Sequence, residues 1–262
     1  MKIRLNIEYK GTNFSGWQIQ PGVRTIQEEL EKGINVILTS QFKQKKLNNI
    51  SEVTVVGSGR TDAGVHALCQ VCSFDWPQEL DFEPVSFTKS LNGITDRDII
   101  ISSSQAVSES FDARRTPHIK TYEYRINTGN AWGGLYDEFQ WTPEVSNLDV
   151  RKMIFAAGVL LGEHDFETFR ASDCCATSTN RTIKLSDVVR TGKHELTYIV
   201  QGNGFLKQMV RIIVGTLVDV GAGKVTLDNF REILESKNRS NAGQTAPAKG
   251  LCLKDVRYLE SY

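Results

Sequence analysis

Proline and histidine are scarce in this chain, with six and four copies among 262 residues, and neither sign of charge is in excess, since 31 Lys+Arg stand against 31 Asp+Glu. So little proline, with no short repeat, excludes a polyproline or collagen-like polymer. Five cysteines (Cys69, Cys72, Cys174, Cys175 and Cys252) are odd in number and too sparse for a disulfide scaffold, which points to free thiols in a reducing compartment. Cys69 and Cys72 have the spacing of half a zinc site, but on a strand positions three apart face opposite ways, and no histidine stands at ligand spacing from Cys174 and Cys175, so no metal is expected. The balanced charge excludes a polycation. It leaves nucleic-acid binding open, because that depends on where the cations lie. No run approaches the ~20 apolar residues of a membrane span; the longest, at 153–161 and 212–220, stop short or carry polar residues. The opening residues alternate in the manner of a strand rather than a signal peptide, so a cytoplasmic protein is expected.

What is present predicts two α+β halves. Ile3, Leu5, Ile7 and Tyr9 alternate with Lys2, Arg4, Asn6 and Glu8, the period-2 pattern of a half-buried strand. Thr25 with Glu28 three residues on predicts a capping box, ahead of a helix that carries Ile26, Leu30, Ile34 and Ile37. An apolar run at 53–56, a glycine-rich turn, a strand at 65–74, a helix at 84–91 and an extended stretch at 98–107 complete the first half, 1–108. The second half, 109–262, repeats this loosely. A strand at 119–127 precedes a helix at 147–161, with Leu148, Phe155, Val159 and Leu161 within reach of one face. A hairpin turns about Gly192 and Lys193, an apolar helix covers 206–220, another starts at Thr226, and a strand closes the chain at 251–258. Antiparallel strands covered by helices in each half are the simplest account. Asp137, Glu138, Glu144 and Asp149 read as a solvated acidic face.

Three stretches could carry chemistry. Residues 57–66, GSGRTDAGVH, lie between two strands. The third glycine of a dinucleotide loop would fall on Asp62, and a strand rather than a helix follows, so a Rossmann reading fails. A tight loop that holds Arg60 and Asp62 between glycines could present a carboxylate as nucleophile or base beside a cation; a plain hairpin whose Asp bonds its own backbone is the alternative. In KTYEY at 120–124, Tyr122 and Tyr124 share one face of a strand next to Arg114, Arg115 and His118. That arrangement suits a base stacked on an aromatic ring, or a half-buried core. In the apolar run 205–214 stands one guanidinium, Arg211. An unpaired buried charge is costly, so Arg211 needs a carboxylate or phosphate partner unless it snorkels to solvent.

Taken in order, these stretches resemble the tRNA pseudouridine synthase A family, whose members isomerise uridines of the anticodon stem-loop. The resemblance runs through IEYKGTNFSGWQ at 7–18, TIQEEL at 25–30, GRTDAGVH at 59–66, FDAR at 111–114, KTYEY at 120–124, GFLKQMVRIIVG at 204–215 and TAPAKGL at 245–251. It implies a pseudouridine synthase fold, α+β, of two related halves with mixed, mainly antiparallel sheets joined at a central catalytic cleft. It implies Asp62 as the catalytic aspartate, Tyr122 as the ring that stacks on the target uridine, and Arg211 as the arginine that pairs with the aspartate, with Arg60 helping to hold the carboxylate ionised.

No cofactor or metal is implied, in keeping with an isomerisation at tRNA positions 38 to 40 in which no group leaves the site. The partners implied are the anticodon arm of tRNA and a second copy of the chain, as a homodimer, with no membrane. With zero net charge, tRNA contacts would fall to local cations, of which Lys10, Arg24, Arg114, Lys120, Lys207 and Lys249 are the candidates. A non-catalytic RNA-binding or tRNA chaperone protein of the same fold is the competing expectation. Asp62 discriminates, because a binder has no need of a carboxylate placed against phosphates.

Overall fold

A computed structural model describes residues 1–47, 52–129, 134, 136–145 and 147–259. The architecture is α+β, as expected, with nine strands and five α-helices among the described residues. The chain divides into two compact units, Met1–His118 with Lys254–Tyr262, and Ile119–Leu253. The sequence division at 108/109 is linear, whereas here the end of the chain from Lys254 groups with the first unit.

In the first unit β1 (Lys2–Tyr9) lies between β4 (Ile99–Val107) and β3 (His66–Asp75), antiparallel to both. The short β2 (Val56–Gly57) pairs with β3 on the side of the glycine-rich loop. β9 (Leu251–Tyr258) continues the strand order beyond β3. The alternation read in β1 is realised, with Ile3, Leu5, Ile7 and Tyr9 buried and their neighbours half-exposed. Two helices, α1 (Ile26–Lys45) and α2 (Pro84–Ile94), bury Ile26, Leu30, Ile34 and Leu38, and Phe87 and Leu91. Phe74 and Trp76, at and just beyond the end of β3, meet Phe87 of α2 at ring separations of 6.1 and 5.4 Å. Aromatic pairs of this kind add about 0.5–1.5 kcal/mol each beyond the area they bury.

The expected capping box does not form. Thr25 is the N-cap of α1, but its hydroxyl makes no capping bond and is buried without a partner, while Glu28 pairs with Lys32 at 2.8 Å. A tertiary contact has taken over the role of the cap. The Ile26 and Gln27 N–H groups donate to the carbonyls of Gly16 and Trp17, which satisfies the first donors of the helix from a neighbouring segment.

In the second unit the strand order is β5 (His118–Asn127), β8 (Glu195–Gly202), β7 (Asn180–Gly192) and β6 (Gly162–Asp165), with antiparallel ladders throughout. The β7–β8 hairpin closes on the pair Gly192 and Glu195, so Lys193 and His194 form its turn. β6 had no periodic signal: its sequence is Gly-Glu-His-Asp, and pairing with β7 makes it a strand. The helices are α3 (Val150–Val159), α4 (Met209–Gly221) and α5 (Leu227–Glu235).

The face expected for α3 is corrected. Phe155 and Leu161 are 67% and 46% exposed, and the buried positions are Met153, Ala156, Ala157 and Leu160. Close packing explains the choice. Gly221, at the end of α4, makes room for the Met153 side chain, since a Cβ there would lie 2.8 Å from its sulfur, and Phe155, two residues on, then faces the other way around the helix. The acidic residues are solvated as expected, with Glu138, Glu144 and Asp149 exposed and Asp137 half-exposed; Asp137 also accepts from Lys249 Nζ at 2.8 Å, and Asp149 caps α3 by accepting from the Lys152 N–H.

Candidate active site

In the first unit the candidate residues lie on the loop from β2 to β3. A loop has no ladder of its own to hold it, and here the hydrogen bonds come from outside. Ser58 Oγ donates to Gln70 Oε1 at 2.6 Å, and Gln70 Nε2 donates to the Gly59 carbonyl at 3.0 Å, which fastens the loop start to β3. The Tyr9 and Thr61 hydroxyls are 2.8 Å apart, and the Trp17 N–H donates to the Thr61 carbonyl at 3.1 Å. Further on, the Gly64 N–H donates to the Phe14 carbonyl, the Val65 N–H to that of Asp62, and the Gly11 N–H to His66 Nδ1. That last bond requires Nδ1 to be the unprotonated ring nitrogen.

Glycine is needed where backbone meets backbone. A Cβ on Gly11 would lie 2.0 Å from the Val65 carbonyl oxygen, and Gly16, at φ 93°, has no room for one against the Thr61 carbonyl. The result is a loop with Ser58, Thr61 and His66 buried, Asp62 half-exposed and Arg60 exposed. A carboxylate on so firmly held a turn can be presented to a ligand in one orientation.

In the second unit the candidate residues lie on β5 and the start of α4. Tyr122 and Tyr124 are buried on one side of β5, opposite Val200 and Tyr198 of β8. The Tyr124 hydroxyl donates to the Pro247 carbonyl at 2.7 Å, and burial pushes its pKa far up, with the Arg211 charge only partly offsetting, so it stays a neutral donor. Gly250 packs directly on the Tyr124 ring, where a Cβ would come within 2.6 Å. Tyr122 instead meets Phe205 edge to face at 5.1 Å. Arg211 lies in the first turn of α4 and is half-exposed amid buried neighbours. Its Nε donates to the Ala246 carbonyl at 2.8 Å, and the Ala246 N–H donates back to the Arg211 carbonyl at 3.1 Å. Residues 245–250 thus form a strap shared by Arg211 and Tyr124.

The candidate tRNA cations are differently placed. In the first unit Arg24 contacts Glu29 at 3.0 Å and Asp96 at 3.1 Å and covers the Phe14 ring at 4.3 Å. Burial lowers its pKa, but the two carboxylates more than offset that and hold it above the usual value. Lys10 is half-exposed beside Gly11, and Arg114 is exposed on a turn capped by Asp112. In the second unit Lys120 is buried, and Lys207 and Lys249 pair with Asp173 at 2.6 Å and Asp137 at 2.8 Å. Exposed pairs of this kind are worth about 0–1 kcal/mol, so a phosphate can displace the carboxylate at little cost.

Tyr9, Thr61, Gln70, Phe205 and Ala246 carry no mark of a role in residue type or spacing. All but Gln70 lie in stretches that carry the family resemblance, which was the available signal. The described residues include no helix long and apolar enough to cross a membrane.

Comparison with known proteins closes the case for the family. Residues 6–114 and 156–259 match the family described as tRNA pseudouridine synthase, and these stretches contain Asp62 and Arg211. Tyr122 falls between them but within the span shared with full-length relatives. Proteins named tRNA pseudouridine synthase A from Myxococcus xanthus and Limosilactobacillus reuteri are each 40% identical over 98% of this chain, covering 92% and 96% of their own lengths. One of the same name from Bacillus pumilus is 39% identical over 98% of this chain and 99% of its own. A chain in the crystal structure of a Cbf5-Nop10-Gar1 complex aligns with 82% of this chain and 54% of that one, at 14% identity and a TM-score of 0.31, an overlap too slight to bear on the fold. On the family match and the full-length relatives together, the chain belongs to the tRNA pseudouridine synthase family, the isomerases that convert uridine to pseudouridine in tRNA.

Proposed function

We propose that this chain isomerises uridines 38 to 40 in the anticodon arm of tRNA, with Asp62 as the catalytic residue. The observation that carries this reading is the construction of the 57–66 loop, which leaves a half-exposed carboxylate between a buried Thr61 and a buried Val65, in the stretch matched to the family. The reaction breaks the bond from N1 to the ribose C1′, turns the detached base, and joins C5 to C1′. The C5 proton is lost and N1 gains one, so the product has the mass of the substrate. Asp62 serves either as nucleophile at C1′ or as base toward a ribose proton, and both roles need it ionised.

A base paired in a stem must first be flipped out and held. Tyr122 is the ring proposed to stack on it, Arg60 and Arg211 the cations that keep the Asp62 carboxylate charged and aimed. Lys10, Arg24, Arg114, Lys120, Lys207 and Lys249 are proposed to neutralise phosphates, which makes tRNA affinity fall steeply with salt. The chain is proposed to work in the cytoplasm as a homodimer, a state that the mass in solution tests.

The deciding experiment assays Asp62→Asn on tRNA transcripts with a single uridine at 38, 39 or 40. Turnover should fall by ~10³-fold or more, with tRNA binding and melting temperature close to the parent. Parent-like turnover would overturn the assignment, and activity confined to uridines elsewhere in the tRNA would overturn the positions.

A further inference from the structure

Thr61, immediately before Asp62, is held twice over. Its hydroxyl meets that of Tyr9 at 2.8 Å, with both side chains buried and 52 residues apart in sequence. Its carbonyl accepts from the Trp17 N–H at 3.1 Å. Gly16 lets the chain pass this close, since a Cβ there would lie 2.7 Å from the Thr61 oxygen. Asp62 follows Thr61 directly where the chain enters the turn, with Thr61 buried, Asp62 half-exposed and Ala63 exposed. Any turn of the Thr61 backbone therefore swings the Asp62 carboxylate. Tyr9 ends β1, and its ring packs against Trp17 at 6.5 Å, so its position is set by the sheet and the core rather than by the loop. The hydroxyl pair links the rigid end of a central strand to the one residue that precedes the carboxylate.

We infer that Tyr9 and Thr61 form a positioning pair for the isomerisation, fixing the direction of the Asp62 carboxylate through their hydroxyls. This rests on the reading of Asp62 as the catalytic residue. The pair has no part in tRNA affinity, since both side chains are buried. Its influence belongs in kcat.

The test compares Tyr9→Phe, Thr61→Val and Thr61→Ser with the parent and with Asp62→Asn. Rates are taken where circular dichroism shows each protein folded, and are normalised to the fraction that binds tRNA. Tyr9→Phe keeps the ring against Trp17 and removes only an oxygen, so it carries the test should Thr61→Val fail to fold. Tyr9→Phe and Thr61→Val should each lower kcat by about ten- to a hundredfold, the scale of an ångström-sized misplacement, with KM for tRNA within about twofold of the parent. Thr61→Ser, which keeps the hydroxyl, should restore most of kcat. Tyr9→Phe combined with Thr61→Val should be no worse than the poorer single variant, because either breaks the same bond.

A parent-like kcat in Tyr9→Phe, a change confined to KM, or a Thr61→Ser enzyme no better than Thr61→Val would overturn the pair. If those results come with an inactive Asp62→Asn, only the positioning pair falls. If Asp62→Asn turns over at the parent rate, the reading of Asp62 falls and takes the pair with it.

Discussion

Asp62 and Arg211, two charged residues proposed for the site, are held by opposite means. Asp62 sits in a loop, and residues 9, 11, 14, 17 and 70 supply the bonds that shape it. Arg211 sits in the first turn of α4, where the helix itself fixes the backbone and the tertiary structure adds the paired exchange with Ala246. The loop is therefore only as well aimed as its remote clamps. The helix position depends mainly on the chemistry of its own side chain. Damage far from Asp62 in sequence should reach it, whereas damage to Arg211 should come from Arg211 itself or from the strap at 245–250.

The largest effect should come from the closest backbone approach in the clamp. In Gly11→Ala the new methyl would stand 2.0 Å from the Val65 carbonyl, and neither partner is a side chain that can swing away. Urea denaturation should show a loss of roughly 3 kcal/mol or more. A loss below about 1 kcal/mol, smaller than overpacking ordinarily costs, would mean that the loop is softer than the comparison requires. Arg211→Lys probes the other side. It keeps the charge but not the planar fork, and the buried turn of α4 should lose about 1–2 kcal/mol with the Ala246 bond. Turnover should fall by about tenfold or more, measured on the same tRNA as the parent. Unchanged turnover would show that charge alone suffices at this position.

The smallest effect concerns Thr25, whose buried hydroxyl has no partner because Gly16 and Trp17 have taken over the helix end. Thr25→Val keeps the shape and removes the stranded oxygen, so stability should rise by about 1 kcal/mol. A fall in melting temperature would show that the hydroxyl does cap α1 in solution.

Much of the fold was legible because period and burial go together. The alternation of β1, the two tyrosines of β5 and the apolar run of α4 are local patterns, and each element formed where its pattern lay. The failures share one cause, which is competition from elsewhere in the chain. Phe155 looked like a core residue, but the packing of Met153 against Gly221 turns that side of α3 inward and leaves Phe155 exposed. Thr25 and Glu28 form a capping signature, but another segment reached the helix end first. β6 carries no apolar period and exists only as a partner of β7.

The candidate site divides in the same way. Residue type and order singled out Asp62, Tyr122 and Arg211, because a loop carboxylate, a strand aromatic and a cation in an apolar run are each unusual where they stand. Which groups hold them was decided only by the tertiary structure. Tyr9 reads as one more apolar position in β1, and Thr61 as a small polar residue in a loop. Side-chain periodicity repeats within a few residues and can be read along the chain, but a hydrogen bond between positions 52 apart depends on a distance that exists only once the sheet and the loop have packed.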